Sequence, residues 1–158
     1  KILETLNFII IQKNMKIFVS THPRTKKQIK KLKIKNLSSK IIFHKPFSFF
    51  DYINLQKHAY CTISDSGTIT EESSILNFPA ITIRNSHERP EGMDAGVLIM
   101  SGLNKDKVLS AIDQVVESKK HNIESIKVFD YGNNQVSEQV SKVIFSYIEY
   151  INRNVWKK

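Results

Sequence analysis

Tyr60-Cys61-Thr62-Ile63-Ser64, Asp65-Ser66-Gly67, Thr68-Ile69-Thr70-Glu71-Glu72-Ser73-Ser74-Ile75-Leu76-Asn77, Phe78-Pro79 and Ala80-Ile81-Thr82-Ile83-Arg84 form the stretch that decides the fold. Tyr60 to Ser64 is short, apolar and β-branched, which predicts a strand. Asp-Ser-Gly then supplies a turn, and a helix over about residues 68–77 follows it. Pro79 ends that helix, and Ala80 to Arg84 predicts a second strand. A strand, a helix and a strand joined by short turns read as a βαβ unit, whose two strands run parallel.

The same alternation extends in both directions. Upstream, Ile2, Leu3, Leu6, Ile9 and Ile10 recur at helical spacing and predict a helix over residues 1–13. Lys16 to Ser20 reads as a strand, Pro23 opens a helix to about residue 33 with Ile29 and Leu32 inward, and Lys40 to His44 reads as another strand. Residues 51–58 suggest a short helix. Downstream, Val97 to Met100 predicts a fifth strand, and Val108, Leu109, Ile112, Val115 and Val116 a helix over residues 104–118. Val136, Val140, Val143, Ile144, Tyr147, Ile148 and Ile151 mark a long final helix. The expected class is α/β: one Rossmann-like three-layer parallel sheet, residues 1–158 being taken as one domain. Lys1 enters a helix with no opening strand, so the expectation is the second half of a larger protein.

Composition narrows the function classes. One cysteine excludes a disulfide framework and a cysteine-built metal site. No apolar run approaches the roughly 18 residues of a membrane span, and no signal-peptide pattern is present, so no membrane partner and a cytoplasmic address are expected. The formal net charge is +9, and residues 6–50 hold eleven basic and no acidic residues. Such a patch attracts anions. Only four of the 24 basic residues are arginine, the fork that reads bases, so solvated lysine faces explain the surplus better than a nucleic-acid partner.

Three polar clusters follow strands, at the sheet edge where ligands bind in this class. In the first, Asp65 to Glu72, a flexible turn enters a helix whose N–H groups and dipole favour a diphosphate. A carboxylate one turn in can accept from a ribose diol. Asp65 and Ser66 capping the helix explain the same residues. Thr68-x-x-Glu71 fits a capping box, which leaves Glu72 as the ligand contact. No G-x-G or G-K-[ST] occurs, which disfavours dinucleotide and P-loop chemistry. The second cluster runs from Arg84 to Gly92 through His87, Glu88, Arg89 and Glu91. Arg89 could clamp phosphate or pair with Glu88 or Glu91, while Pro90 opposes a zinc-protease helix. The third is Thr21-His22-Pro23-Arg24, where His22 is either an acid, base or phosphate ligand, or a turn residue. His44, His58 and His121 have no metal spacing, and Cys61 reads as a core residue.

Asp65-Ser66-Gly67-Thr68-Ile69-Thr70-Glu71-Glu72, then Arg84, then Glu88-Arg89-Pro90-Glu91, resembles the signature of non-hydrolysing UDP-N-acetylglucosamine 2-epimerases. Thr21-His22-Pro23-Arg24 is similar to the upstream histidine motif of that family, and Val155-Trp156-Lys157 to its ending. Ser73 to Pro79 and Arg89 to Asp94 look closest to its capsule and O-antigen branch. Some members of that branch epimerise 6-deoxy sugars toward UDP-N-acetyl-L-fucosamine. The resemblance implies one half of a glycosyltransferase-B-like two-domain fold: the C-terminal, UDP-binding half, with the N-terminal domain absent. It implies that Ser66, Gly67 and Thr68 hold the diphosphate, Glu72 the ribose, Arg89 the nucleotide and Tyr52 the uracil face. It places His22 beside the diphosphate and sugar as a substrate contact or proton donor. It further implies a homodimer when full length, no metal and no redox cofactor. Two positions depart from the pattern: Thr68 stands where many relatives have Gly, and Phe47 where some place a polar uracil contact. A non-catalytic nucleotide- or nucleic-acid-binding module and a glycosyltransferase of similar architecture remain as other readings.

Overall fold

Strand and helix alternate through α1 (Ile2–Lys13), β1 (Ile17–Ser20), α2 (Pro23–Lys31), β2 (Ile41–His44), α3 (Phe49–His58), β3 (Thr62–Ser64), α4 (Ile69–Leu76), β4 (Ala80–Thr82), α5 (Pro90–Asp94), β5 (Ile99–Met100), α6 (Lys105–Lys120) and α7 (Val136–Ile151). The computed structural model describes residues 1–31, 37–86, 88–121, 128–132 and 135–158. Leu32 and His87, named above, lie outside the described residues. The chain groups into two units, Lys1–Val128 and Phe129–Lys158.

In the first unit every strand pairing is parallel. β1 pairs with β2, and β4 lies between β3 and β5. All three residues of β4 are buried, as expected of a strand covered on both faces. Ile81 faces a core formed by Leu6, Ile9 and Ile10 of α1 and by Val108, Ala111, Ile112 and Val116 of α6. Ile17 and Val19 of β1 and Phe43 of β2 pack against that same cluster, so both sets of strands share it. Ala80, one residue along and therefore on the opposite face, joins Ile69 of α4, Phe78 and Leu98. Helix, sheet and helix form the three layers the alternation predicts. Register fixes the functional edge: Ser64 sits opposite Thr82, so β3 and β4 end level and their loops leave together.

Local chemistry explains where the helices begin and end. Asn14 and Asn77 follow α1 and α4 in the left-handed conformation, each at φ 53°. Asn tolerates this with its short polar side chain. Gly102 turns the chain after β5 at φ 63°, where a Cβ would also come within 3.0 Å of Asn85 Oδ1. Pro90 does not prevent a helix but starts one, α5, from its first-turn position. Its missing N–H has no intrahelical partner to lose there. Asn104 caps α6 by accepting from the N–H groups of Asp106 and Lys107, both at 3.1 Å. Asn104→Ala is expected to destabilise the chain by about 1 kcal/mol, measured as a lower urea midpoint.

The second unit contains a 3-10 turn (Phe129–Gly132), α7 and one turn of π-helix (Asn152–Trp156). Val136, Val140, Val143 and Tyr147 repeat at helical spacing along α7. Glu138 and Lys142 pair at 2.7 Å, four residues apart. Among the described residues no helix is long and apolar enough to cross a membrane.

Candidate functional site

The loop after β3 is built around a close approach. Ser66 N–H donates to Ser64 Oγ at 3.1 Å, which tightens the turn out of the strand. A Cβ on Gly67 would lie 2.7 Å from Glu88 Oε2 and 3.8 Å from an Arg89 guanidinium nitrogen. Absence of a side chain at Gly67 therefore lets the loops after β3 and β4 touch. Thr68 precedes α4 in the αR region (φ −64°, ψ −15°) and makes no side-chain cap bond. Its hydroxyl pairs with Ser66 Oγ at 3.0 Å instead.

The expected capping box is consequently not formed. A capping hydroxyl needs an extended N-cap residue to reach back into the first turn, and Thr68 is already helical. Glu71 is drawn the other way: Arg89 Nε donates to Glu71 Oε1 at 2.6 Å. That pair, with Glu71 as the largest cause, holds the Arg89 pKa above its ordinary value. Arg89 also approaches Glu88 Oε2 at 4.0 Å, while Arg84 donates to Glu88 Oε1 at 2.6 Å and to the Asp65 carbonyl at 3.3 Å. The neighbour pairing considered for Arg89 is thus secondary to a partner on α4. Arg84, Glu88 and Arg89 from one loop and Asp65, Gly67 and Glu71 from the other form one charged cluster.

Glu72 points to a different neighbour. Gln56 Nε2 of α3 donates to Glu72 Oε2 at 2.5 Å. Tyr52, one turn before Gln56, is half-buried, and its phenol is raised above the usual value mainly by that burial and then by the Glu72 charge. A hydrogen bond from Gln56 opposes the rise. Tyr52 is therefore a neutral hydroxyl at neutral pH, and Tyr52, Gln56 and Glu72 make a second cluster beside the first.

His22 is exposed, and its Nδ1 accepts from the Arg24 N–H at 3.3 Å. That is a turn contact at the end of β1. Phe47 stacks flat on His44, with centroids 4.3 Å apart and planes 6° from parallel, at the end of β2. Cys61 packs against the core, and burial pushes its thiol up to about 12. The residue missed by sequence reading is Gln56. Its one signal was a polar side chain at i+4 from Tyr52 on a helix.

Backbone donors at the start of α4, with Arg89 beside them, suit an anion; Glu72 suits a group that donates hydrogen bonds. Residues 1–145 match the family model described as UDP-N-acetylglucosamine 2-epimerase. The UDP-N-acetylglucosamine 2-epimerase structure from Rickettsia bellii is 47% identical, with a TM-score of 0.86 over 99% of this chain and 43% of that one. The Methanocaldococcus jannaschii UDP-GlcNAc 2-epimerase, solved in complex with UDP-GlcNAc and UDP, is 33% identical, with a TM-score of 0.74 over 92% of this chain and 40% of that one. A sequence comparison with the UDP-N-acetylglucosamine 2-epimerase of M. jannaschii gives 34% identity over 132 residues, 81% of this chain and 34% of the relative. The chain spans well under half the length of each. Its α/β layer matches the glycosyltransferase-B-like fold of these structures, its strand-end motifs stand where the loops meet, and the chain belongs to the UDP-N-acetylglucosamine 2-epimerase family.

Proposed function

We propose that these residues form the C-terminal, nucleotide-binding half of a cytoplasmic UDP-sugar 2-epimerase of the UDP-N-acetylglucosamine/UDP-N-acetylmannosamine type. The observation that carries the reading is the contact of the loops after β3 and β4 at Gly67, which sets the start of α4 beside Arg89. Ser66, Gly67 and Thr68 hold the diphosphate, Arg89 contacts the nucleotide, Glu72 accepts from the ribose hydroxyls and Tyr52 packs on uracil. His22 reaches the diphosphate or sugar as a contact or proton donor.

The reaction is elimination and re-addition. The C1–O bond to UDP breaks as the proton leaves C2, giving a C1=C2 double bond. UDP then adds back to C1 while C2 takes a proton on its other face. Negative charge grows on the departing diphosphate oxygen, and a helix start with a fixed arginine lowers the barrier by meeting that charge where it develops. The acids that move the C2 proton belong to the other half of the enzyme, and the full-length enzyme is a homodimer. The wording of Ser73 to Pro79 and Arg89 to Asp94 supports the capsule and O-antigen branch, which makes a 6-deoxy UDP-N-acetylhexosamine the second substrate reading.

Calorimetric titration tests the binding half of this reading. These 158 residues are expected to bind UDP weakly and to show no epimerase turnover. Steeply salt-dependent binding of a DNA oligonucleotide with no heat from UDP would replace it with a nucleic-acid module.

A further inference from the structure

Gln56 is an anomaly in the first unit. Its side chain is only 2% exposed, yet it is a primary amide with two donors and an acceptor to satisfy. One donor goes to the Glu72 carboxylate at 2.5 Å. Its carbonyl oxygen Oε1 is buried with no hydrogen-bond partner among the described residues. A buried amide left half-satisfied is worse for folding than a leucine of similar size. Folding alone therefore does not account for a glutamine here, and it donates at 2.5 Å to the carboxylate read above as the ribose acceptor.

We infer that Gln56 is a positioning residue for nucleotide recognition, fixing the Glu72 carboxylate for a ribose diol and tying it to the α3 face that carries Tyr52. The inference rests on the proposed UDP-binding function. A free carboxylate on the first turn of a helix samples several rotamers, and each one frozen on binding weakens the complex. Gln56 Nε2 selects one of them beforehand. The orientation is directed: with Oε2 engaged by Gln56, Oε1 of Glu72 is left to accept from a hydroxyl. Because Tyr52 and Gln56 lie four residues apart on one helical face, the base-side aromatic and the ribose-side carboxylate are set by the same helix. Gln56 itself does not reach the ligand, since its free oxygen has no accessible surface.

The test compares UDP with 2′,3′-dideoxy-UDP, which keeps the base and diphosphate but offers no ribose hydroxyl. In the wild-type chain UDP is expected to bind about tenfold tighter than the dideoxy form, the scale of one charged hydrogen bond. Gln56→Leu, which replaces the half-satisfied amide with an apolar side chain, is expected to shrink that ratio severalfold by weakening UDP more than dideoxy-UDP. Glu72→Ala should abolish the ratio, and adding Gln56→Leu to it should change nothing further. Equal weakening of both nucleotides by Gln56→Leu would make Gln56 a merely structural residue and overturn the inference. So would a ratio untouched by Gln56→Leu but abolished by Glu72→Ala, which would leave the nucleotide reading standing. Absence of any ribose dependence in the wild-type chain would sink the role of Glu72, and this inference with it. Circular dichroism of each variant confirms that the fold is retained.

Discussion

Ile81→Ala is expected to lower the free energy of unfolding by about 2–5 kcal/mol, the usual range for emptying a buried isoleucine site. Ile81 has no exposed surface and sits in the central strand β4. Its side chain meets the one cluster that α1, α6 and both sets of strands share. The neighbours cannot collapse into the space, because β4 is hydrogen-bonded on both sides. A domain of this size has roughly 5–15 kcal/mol in total, so the loss is a large share of it. The urea midpoint should fall with its slope unchanged. Ile75, 61% exposed on α4, provides the control, and Ile75→Ala should stay within about 0.5 kcal/mol of wild type. Equal losses at the two positions would contradict the placement of the core.

Arg89→Ala is expected to weaken UDP binding by about ten- to a hundredfold, the scale of losing a charge-assisted contact to a phosphate. In the structure the Nε of Arg89 is taken by Glu71, which fixes the plane of the guanidinium. One terminal nitrogen, beside Gly67, donates to the Glu88 carbonyl at 3.4 Å, which leaves the other to meet a ligand. Arg89→Lys should recover little, since an ammonium cannot hold Glu71 and a phosphate in one fixed plane. Glu71→Gln separates the two roles: it keeps an acceptor for Nε and should preserve most of the affinity. Calorimetry reads all three variants, and UDP affinity unaffected by Arg89→Ala would remove the arginine from the site.

Much of this was legible in the sequence because period and punctuation carry it. Alternating apolar segments, Pro23, Pro79 and Asp65-Ser66-Gly67 located the strands, helices and turns within a residue or two. The functional edge followed, since parallel strands send their following loops to one end. What was not legible depended on contacts between segments distant in sequence. Thr68-x-x-Glu71 matched a capping box locally, but Arg89, eighteen residues on, decided where Glu71 points. The sequence marks Glu72 as a ligand contact but not that its orientation is set from α3 by Gln56. Pro90 was read as opposing a helix because its position relative to a helix start could not be known before the loop was seen. Local signals fix the backbone path; side-chain partnership requires the fold.

The internal pairing of the charged cluster has a kinetic consequence. Arg84 and Arg89 are paired with Glu71 and Glu88, so these side chains where the two loops meet sum to no formal charge. The positive surplus of the chain lies elsewhere, on the lysines of residues 6–50. An anion is thus drawn from a distance by one part of the molecule and held at short range by another. Salt screens the first over a Debye length of about 10 Å at 0.1 M and leaves direct contacts far less affected. Rising ionic strength therefore acts on how fast a nucleotide arrives more than on how long it stays.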